Sequence, residues 1–215
     1  MTGSTLVGRM GGVKVLTWLA LLVGALTVAA CGNRAPATPP TAAEILNKPY
    51  TAAVQDAHFS LVAHVVSGNI AFDATGDGVL VVKPQQAMKF TMMTTFSGQV
   101  LKFETIIIGG KEYALSPDNP RWIVTSSSSS SNPSSLFKGS NATYVGEETV
   151  PQGRAWHVKA KDAQGNPFDA WVRETDGYPL KYASMMTQGS TFVATFDRFN
   201  TGQTIVAPPT SDIQP

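Results

Sequence analysis

The chain has 215 residues, 43% hydrophobic and only 14% charged, and its 16 Lys+Arg against 15 Asp+Glu leave a net charge of +1. That length suffices for one well-cored domain, and the balance, with no basic block, excludes the positive stripe that a nucleic-acid partner requires. A single Cys excludes a disulfide framework and a thiolate metal cluster. Ser, Thr and Gly stand where charges usually do, a usage commoner in exported β-rich proteins than in cytoplasmic enzymes.

Residues 1–30 have the profile of an export signal. Arg9 and Lys14 precede the apolar run Val15–Val28, which is short for a membrane-spanning helix. The run ends in Val28-Ala29-Ala30-Cys31, which resembles the bacterial lipobox, where small residues let a peptidase approach the bond before an acylated Cys. Cys31, the only Cys, falls at that cleavage point. The expectation is a mature chain that starts at Cys31, carries acyl chains such as palmitate, and sits outside the cytoplasmic membrane on its outer leaflet. Several buried chains, at about 0.8 kcal/mol per methylene, make a stable anchor. An ordinary secretory signal or an uncleaved anchor is the alternative.

The mature chain opens with a tether over 31–41, rich in Pro, Ala and Thr and read as extended. Thr41 followed by Glu44 predicts a capped helix start, with Ile45, Leu46, Tyr50, Val54 and Phe59 as its apolar side and Pro49 as a kink or break. From His58 onward, period-two alternation predicts antiparallel strands with one wet and one apolar face. The alternating segments centre on Leu61, Phe72, Phe90, Phe103, Trp156, Ala170 and Ala194. Turns are expected at Ser67–Asn69, Thr75–Gly78, Lys83–Pro84, Gly109–Gly110, Asp162–Gly165 and Thr175–Pro179. The fold class is therefore α+β, with about ten strands, few helices and no βαβ rhythm, and an open sheet of that width must curl or close. Ser126 to Ser131 predicts a solvated loop, with a gate over a cavity as the sharper alternative. Pro133–Phe137 predicts a short helical stretch. The domain is expected over 42–209, with 210–215 as a tail.

No catalytic signature emerges, and neither enzyme activity nor a cofactor or metal is expected. His58 and His64 would lie roughly 20 Å apart along one strand at about 3.3 Å per residue, too far to share an ion. His157 alternates with lysines on an expected wet face. Asp73-x-Thr75-x-Asp77-Gly78 copies the start of a calcium loop, but Pro84 stands where the bidentate carboxylate belongs, so a tight hairpin is expected instead. The other carboxylates are scattered. What remains is an excess of apolar side chains, with Met88, Met92, Met93, Met185 and Met186 in or beside strands, a residue type that accommodates irregular apolar shapes.

From Asn119 the features run in a recognisable order: Asn119-Pro-Arg-Trp-Ile123, Asn132-Pro-Ser-Ser-Leu-Phe137, Val145-Gly-Glu-Glu-Thr-Val150, Trp156-His-Val158, Trp171-x-x-x-Thr175-Asp176-Gly177-x-Pro179, Phe192–Phe199 and Ile205-Val-Ala-Pro208. This order resembles the LolA/LolB-like lipoprotein carriers, nearest to the LppX/LprG-type lipoproteins. The resemblance implies a strongly curved antiparallel half-barrel of about 10–11 strands with a few short helices over its concave face. It also implies an apolar cavity for a lipid or glycolipid, and a lipid exporter or envelope acceptor as partner. The protein would work as a monomer that carries acylated ligands, with no covalent chemistry. The inward series expected to line the cavity is Leu61, Ala63, Val65, Phe72, Met88, Phe90, Met92, Leu101, Phe103, Trp156, Val158, Phe168, Val172, Tyr182, Phe192 and Phe196. A one-residue slip in parity would exchange an entire face. The rival readings are an envelope interaction or sensor module with a filled core, and an enzyme acting on lipid or cell wall.

Overall fold

A computed structural model describes residues 39–127, 137–186 and 189–215. The chain divides into two units after Pro39, and the second, Pro40–Pro215, has its own hydrophobic core. The export signal, Cys31, most of the tether, Ser128–Ser131 and residues 133–136 of the expected helical stretch lie outside the described residues.

Thr41 starts helix α1 (Ala42–Thr51) with the expected capping box: the Glu44 amide donates to Thr41 Oγ1 at 3.3 Å, and the Thr41 amide donates to Glu44 Oε2 at 2.8 Å. Pro49 does not break the helix where it stands; it occupies the last turn, and the helix stops at Thr51. Pro49 has no amide to offer the carbonyl four residues back, and the helix runs only two residues beyond it. Ile45 and Leu46 are buried, whereas Val54 and Phe59, expected on the same helical side, lie beyond its end, Phe59 on the first strand.

Eleven strands follow: β1 (Asp56–Ser67), β2 (Ile70–Val81), β3 (Ala87–Phe96), β4 (Gln99–Ile108), β5 (Lys111–Ser116), β6 (Asn119–Ser126), β7 (Ser140–Val150), β8 (Gly153–Lys161), β9 (Pro167–Arg173), β10 (Pro179–Met185) and β11 (Thr191–Asp197). They form a single sheet in the order β6-β5-β4-β3-β2-β1-β11-β10-β9-β8-β7. It is an open, curved antiparallel half-barrel. Two meanders, β1–β6 and β7–β11, meet along the β1–β11 pairing, where Phe59 faces Phe196 and Leu61 faces Ala194. β6 and β7, neighbours in sequence, are the two edges. Past the last strand, a 3-10 turn (Thr210–Asp212) brings Ile213 beside Trp122, and the Gln214 amide donates to the Trp122 carbonyl at 2.8 Å. Residues 210–215 thus occupy part of the open β6 edge, a common way to blunt unpaired strand groups.

Two expectations change. The segment Thr75–Gly78 is not a hairpin: it lies inside β2, which runs unbroken from Ile70 to Val81 between β1 and β3. The glycines are there for space, because a Cβ on Gly78 would fall into the Phe59 ring and one on Gly76 would sit 2.5 Å from the Thr91 carbonyl oxygen. Second, the described residues contain one α-helix rather than several, and α1 packs on β7, β8 and β9, not across the whole sheet.

Candidate functional site

Antiparallel partners share a face, so the register settles the parity of every inward candidate. Val65 pairs with Phe72, and Ala74, two residues on, pairs with Thr94. From Thr94 the same face continues through Met92 opposite Phe103, with Leu101 opposite Thr94. On the other side Phe59–Phe196, Ala63–Phe192, Tyr182–Ala194, Val172–Trp156 and Val158–Ala170 carry it to β8. All sixteen residues named from the sequence therefore lie on one face, the face on which α1 packs.

Their burial divides them. Leu61, Ala63, Val158, Phe168, Val172, Tyr182 and Phe196 are buried, Val158 and Val172 completely. Their rings run in a chain: Phe90 to Phe59 at 6.4 Å between centres, Phe59 to Phe196 at 6.1 Å, Phe196 to Phe137 at 5.9 Å and Phe137 to Tyr182 at 5.9 Å. Phe168 stacks on Tyr182 at 5.0 Å. This half is a filled core. Val65, Phe72, Met88, Phe90, Met92, Leu101, Phe103, Trp156 and Phe192 are only partly buried. Trp156 lies under α1, with Lys48 Nζ 5.0 Å from its ring centre. Six of the others, Phe72, Met88, Phe90, Met92, Leu101 and Phe103, form a continuous apolar field on β2–β4, away from the strands that the helix covers.

Where the field meets the end of α1, a cleft of about 290 Å³ opens, lined by Pro49, Tyr50, Val54, Leu80, Val82 and Phe137 among others. Tyr50 holds the returning chain at this point: its hydroxyl accepts the Phe137 amide at 2.9 Å. Burial raises the Tyr50 hydroxyl to about 12, although the Phe137 bond pulls the other way.

The convex face carries what the sequence reading missed. His157, expected on a wet face, is buried. Its Nδ1 lies 2.7 Å from Glu148 Oε1 and its Nε2 2.5 Å from Asp169 Oδ1, and its ring stacks on Trp171 at 4.3 Å. Trp171 Nε1 donates to Glu148 Oε2 at 2.7 Å, and Lys181 Nζ caps the other side of the indole at 4.4 Å. The Trp171 bond is the main reason that the Glu148 carboxyl is held below its usual range. The signal was present in the parity, since Trp171 and His157 fall opposite one another once β8 and β9 pair. A bulge at Pro179/Lys181 then turns Leu180 onto this face beside Ala155 and Trp171. His58 bonds Asp197 at 2.6 Å and Asp77 at 3.1 Å, and His64 bonds Asp73 at 2.8 Å, so the acids of the calcium-like pattern serve histidines. Among the described residues no group of three or more His, Cys, Asp or Glu is arranged to hold a metal ion.

No protein-family model and no curated protein matches the sequence. Solved structures do. A conserved protein from Thermus thermophilus aligns at 12% identity and a TM-score of 0.49, covering 80% of this chain and 96% of that one. LprF from Mycobacterium bovis aligns at 12% identity and a TM-score of 0.49, covering 78% and 96%. A LolA superfamily protein from Nitrosomonas europaea aligns at 10% identity and a TM-score of 0.31, covering 82% and 99%. The chain is similar to LprF and to a LolA superfamily protein. These are the groups to which the order of sequence motifs pointed, and the likeness is one of chain path; the site rests on the side chains above.

Proposed function

We propose that the protein is a membrane-tethered, extracytoplasmic carrier that holds the acyl chains of a lipid or glycolipid against the concave face of β2–β4. The single observation behind this reading is the field Phe72, Met88, Phe90, Met92, Leu101 and Phe103: six large apolar side chains on one curved face that remain partly open while the neighbouring half of the same face is packed solid. A hydrocarbon chain laid on them leaves water at a gain of about 0.8 kcal/mol per methylene. Exchange between a bilayer and such a face replaces hydrocarbon with hydrocarbon, so loading and release are both near neutral. Two flexible methionines let the field fit chains of different length and kink. Acylation at Cys31 and the tether over 31–41 keep the carrier at the outer leaflet, within reach of an exporter or an acceptor. The chemistry needs binding only.

The test uses residues 40–215, the unit with its own core. Native mass spectrometry is expected to find lipid bound after purification or after incubation with phospholipid. Met92→Arg and Phe103→Arg place a charge on partly open positions and are expected to abolish the bound mass while the melting temperature stays close to that of the parent. A parent that takes up no lipid, or variants that both keep it, would overturn the reading in favour of a filled-core docking module, as the solid packing around Phe168 and Phe196 would then describe the whole interior.

A further inference from the structure

We propose that the cleft at the end of α1 is a headgroup subsite that selects a carried lipid bearing an anionic phosphate ester, through Lys83, Lys138, Gln86 and the Tyr50 hydroxyl. The inference deepens the carrier reading and rests on it for the acyl chains. Leu80, which lines the cleft, pairs across β2–β3 with Met88 of the apolar field, so cleft and field share one face. A site for a whole small ligand runs from about 300 to 1,000 Å³. At about 290 Å³ this cleft is too small for a lipid. It suits the polar end of one whose chains lie outside it, on the field.

The polar side chains at the cleft all offer donors. Lys83 and Gln86 line it and are exposed, and Lys138 Nζ lies 5.9 Å from the ring centre of Tyr50, which lines it too. Among the described residues no carboxylate is paired with Lys83 or Lys138. The Tyr50 hydroxyl accepts the Phe137 amide at 2.9 Å, which leaves its own proton for an acceptor. Burial raises that hydroxyl to about 12, so it keeps the proton at neutral pH.

Charge around the cleft decides the class of headgroup. The segments that form its walls, 49–55, 80–90, 137–143 and 177–182, contain no Asp or Glu. The two acids that flank them are committed elsewhere. Asp56 is buried and accepts the Thr201 amide (2.9 Å), the Thr201 hydroxyl (3.0 Å) and the Gly202 amide (3.0 Å). Asp176 is held by Arg173 at 2.7 Å. The C-terminal end of α1 opposes an anion, but with only about half an elementary charge against two full ones. Its Lys48 carbonyl is moreover satisfied by the Ala52 amide at 2.8 Å. A phosphate supplies the acceptors that these donors lack, with Lys acting as a point charge. A sugar leaves both lysines without a counter-charge, and a choline brings a cation to where two already stand.

The test offers residues 40–215 mixed vesicles of phosphatidylglycerol and phosphatidylcholine with the same acyl chains. Native mass spectrometry is expected to find the first bound about tenfold over the second, the sum of two exposed ion pairs, with the preference shrinking in high salt. Lys83→Gln with Lys138→Gln should bring the ratio close to one, leaving total bound lipid and melting temperature unchanged because both side chains are exposed. Lys89→Gln removes the same charge from the opposite face of β3 and should keep the preference. A parent with no preference, a double variant that retains it, or its equal loss in Lys89→Gln would each overturn the proposal. In a second arm glycerol phosphate, which has no acyl chain, is expected to shift the Gln86 and Phe137 amide resonances of the parent and not of the double variant. Inorganic phosphate that shifts them as strongly, with no lipid preference, would mark a site for the free ion and overturn the headgroup assignment. Shifts in a parent that takes no lipid sink the carrier and leave only an anion-binding cleft. Lipid bound without preference, and no shifts, sink the subsite and leave the carrier.

Discussion

Gly78 carries a hydrogen where a side chain would collide. It lies between β1 and β3 on the concave face, and the Phe59 ring rests over it, in contact distance of Phe90 and Phe196 as well. Any Cβ there must displace that ring, because the Lys89 carbonyl, 2.7 Å from the same point, belongs to the sheet ladder and cannot yield. Gly78→Ala is therefore expected to destabilise the fold by about 1–3 kcal/mol, read as a lowered melting temperature. Adding Phe59→Leu, which shortens the obstructing side chain, should recover part of the loss. An alanine variant that melts with the parent would mean that Phe59 has free room to move. The same residue explains a misreading: Gly-Asp-Gly spells a turn when only local chemistry is considered, and nothing in the local sequence announces a ring arriving from a neighbouring strand. His157 was misjudged for the same reason. Its alternation with lysines predicts a wet face, but it is buried by Trp171 and Glu148, which reach it from other strands.

At the scale of elements, that convex cluster ties an edge strand down. Glu148 of β7 reaches His157 on β8 and Trp171 on β9, while Asp169 of β9 meets the far nitrogen of the same imidazole and Lys181 of β10 covers the indole. The Glu148 carboxyl is held below its usual value near 4.5, chiefly by the Trp171 bond. A carboxyl depressed in the fold adds stability above its unfolded value, and that stability is lost as pH falls through the folded value. The melting temperature should accordingly fall less steeply below pH 4.5 in Glu148→Gln than in the parent, since Gln can still accept from Trp171 but has no charge to lose. Equal slopes would remove Glu148 from the acid sensitivity of the fold. Elements were legible in proportion to how much of each strand is buried. β1 and β8, with a clean alternation of apolar and polar positions, can be read from sequence alone. β5 and β7 cannot: β7 has no fully buried residue, and its residues Ser140–Val150 have neither strong alternation of apolar and polar types nor a run of branched side chains. The sixteen residues share a face because period two holds within each strand, wherever the strand ends.

Taken whole, the molecule is two meanders that each lack something. The first, β1–β6, has the partly open apolar field; the second, β7–β11, has the packed aromatic core, yet the helix that covers that core, α1, belongs to the N-terminal side of the chain. Phe137, just before β7, closes the same core between Tyr182 and Phe196. The halves are thus interlocked by α1 as well as by the β1–β11 ladder. Residues 40–127 and 137–215, co-expressed as separate chains, are expected to assemble into one soluble complex, detected by co-purification on a tag carried by either piece. Deleting 40–52 from the first piece should sharply weaken the assembly. Pieces that fold and purify apart would show that the seam contributes little.

The pairing order has a further consequence for how the polypeptide is made. β1 is among the first strands to emerge from a ribosome or a translocation pore, and its partner β11 is the last. Until the final segment arrives, β1 has only β2 beside it, and α1 has no surface to settle on, because β7, β8 and β9 are still unsynthesised or threaded. Contacts this distant along the chain form slowly and leave sticky intermediates waiting. A nascent molecule of this design spends its early life with an unzipped middle, which makes synthesis, rather than the finished fold, the stage at which a holding chaperone matters most.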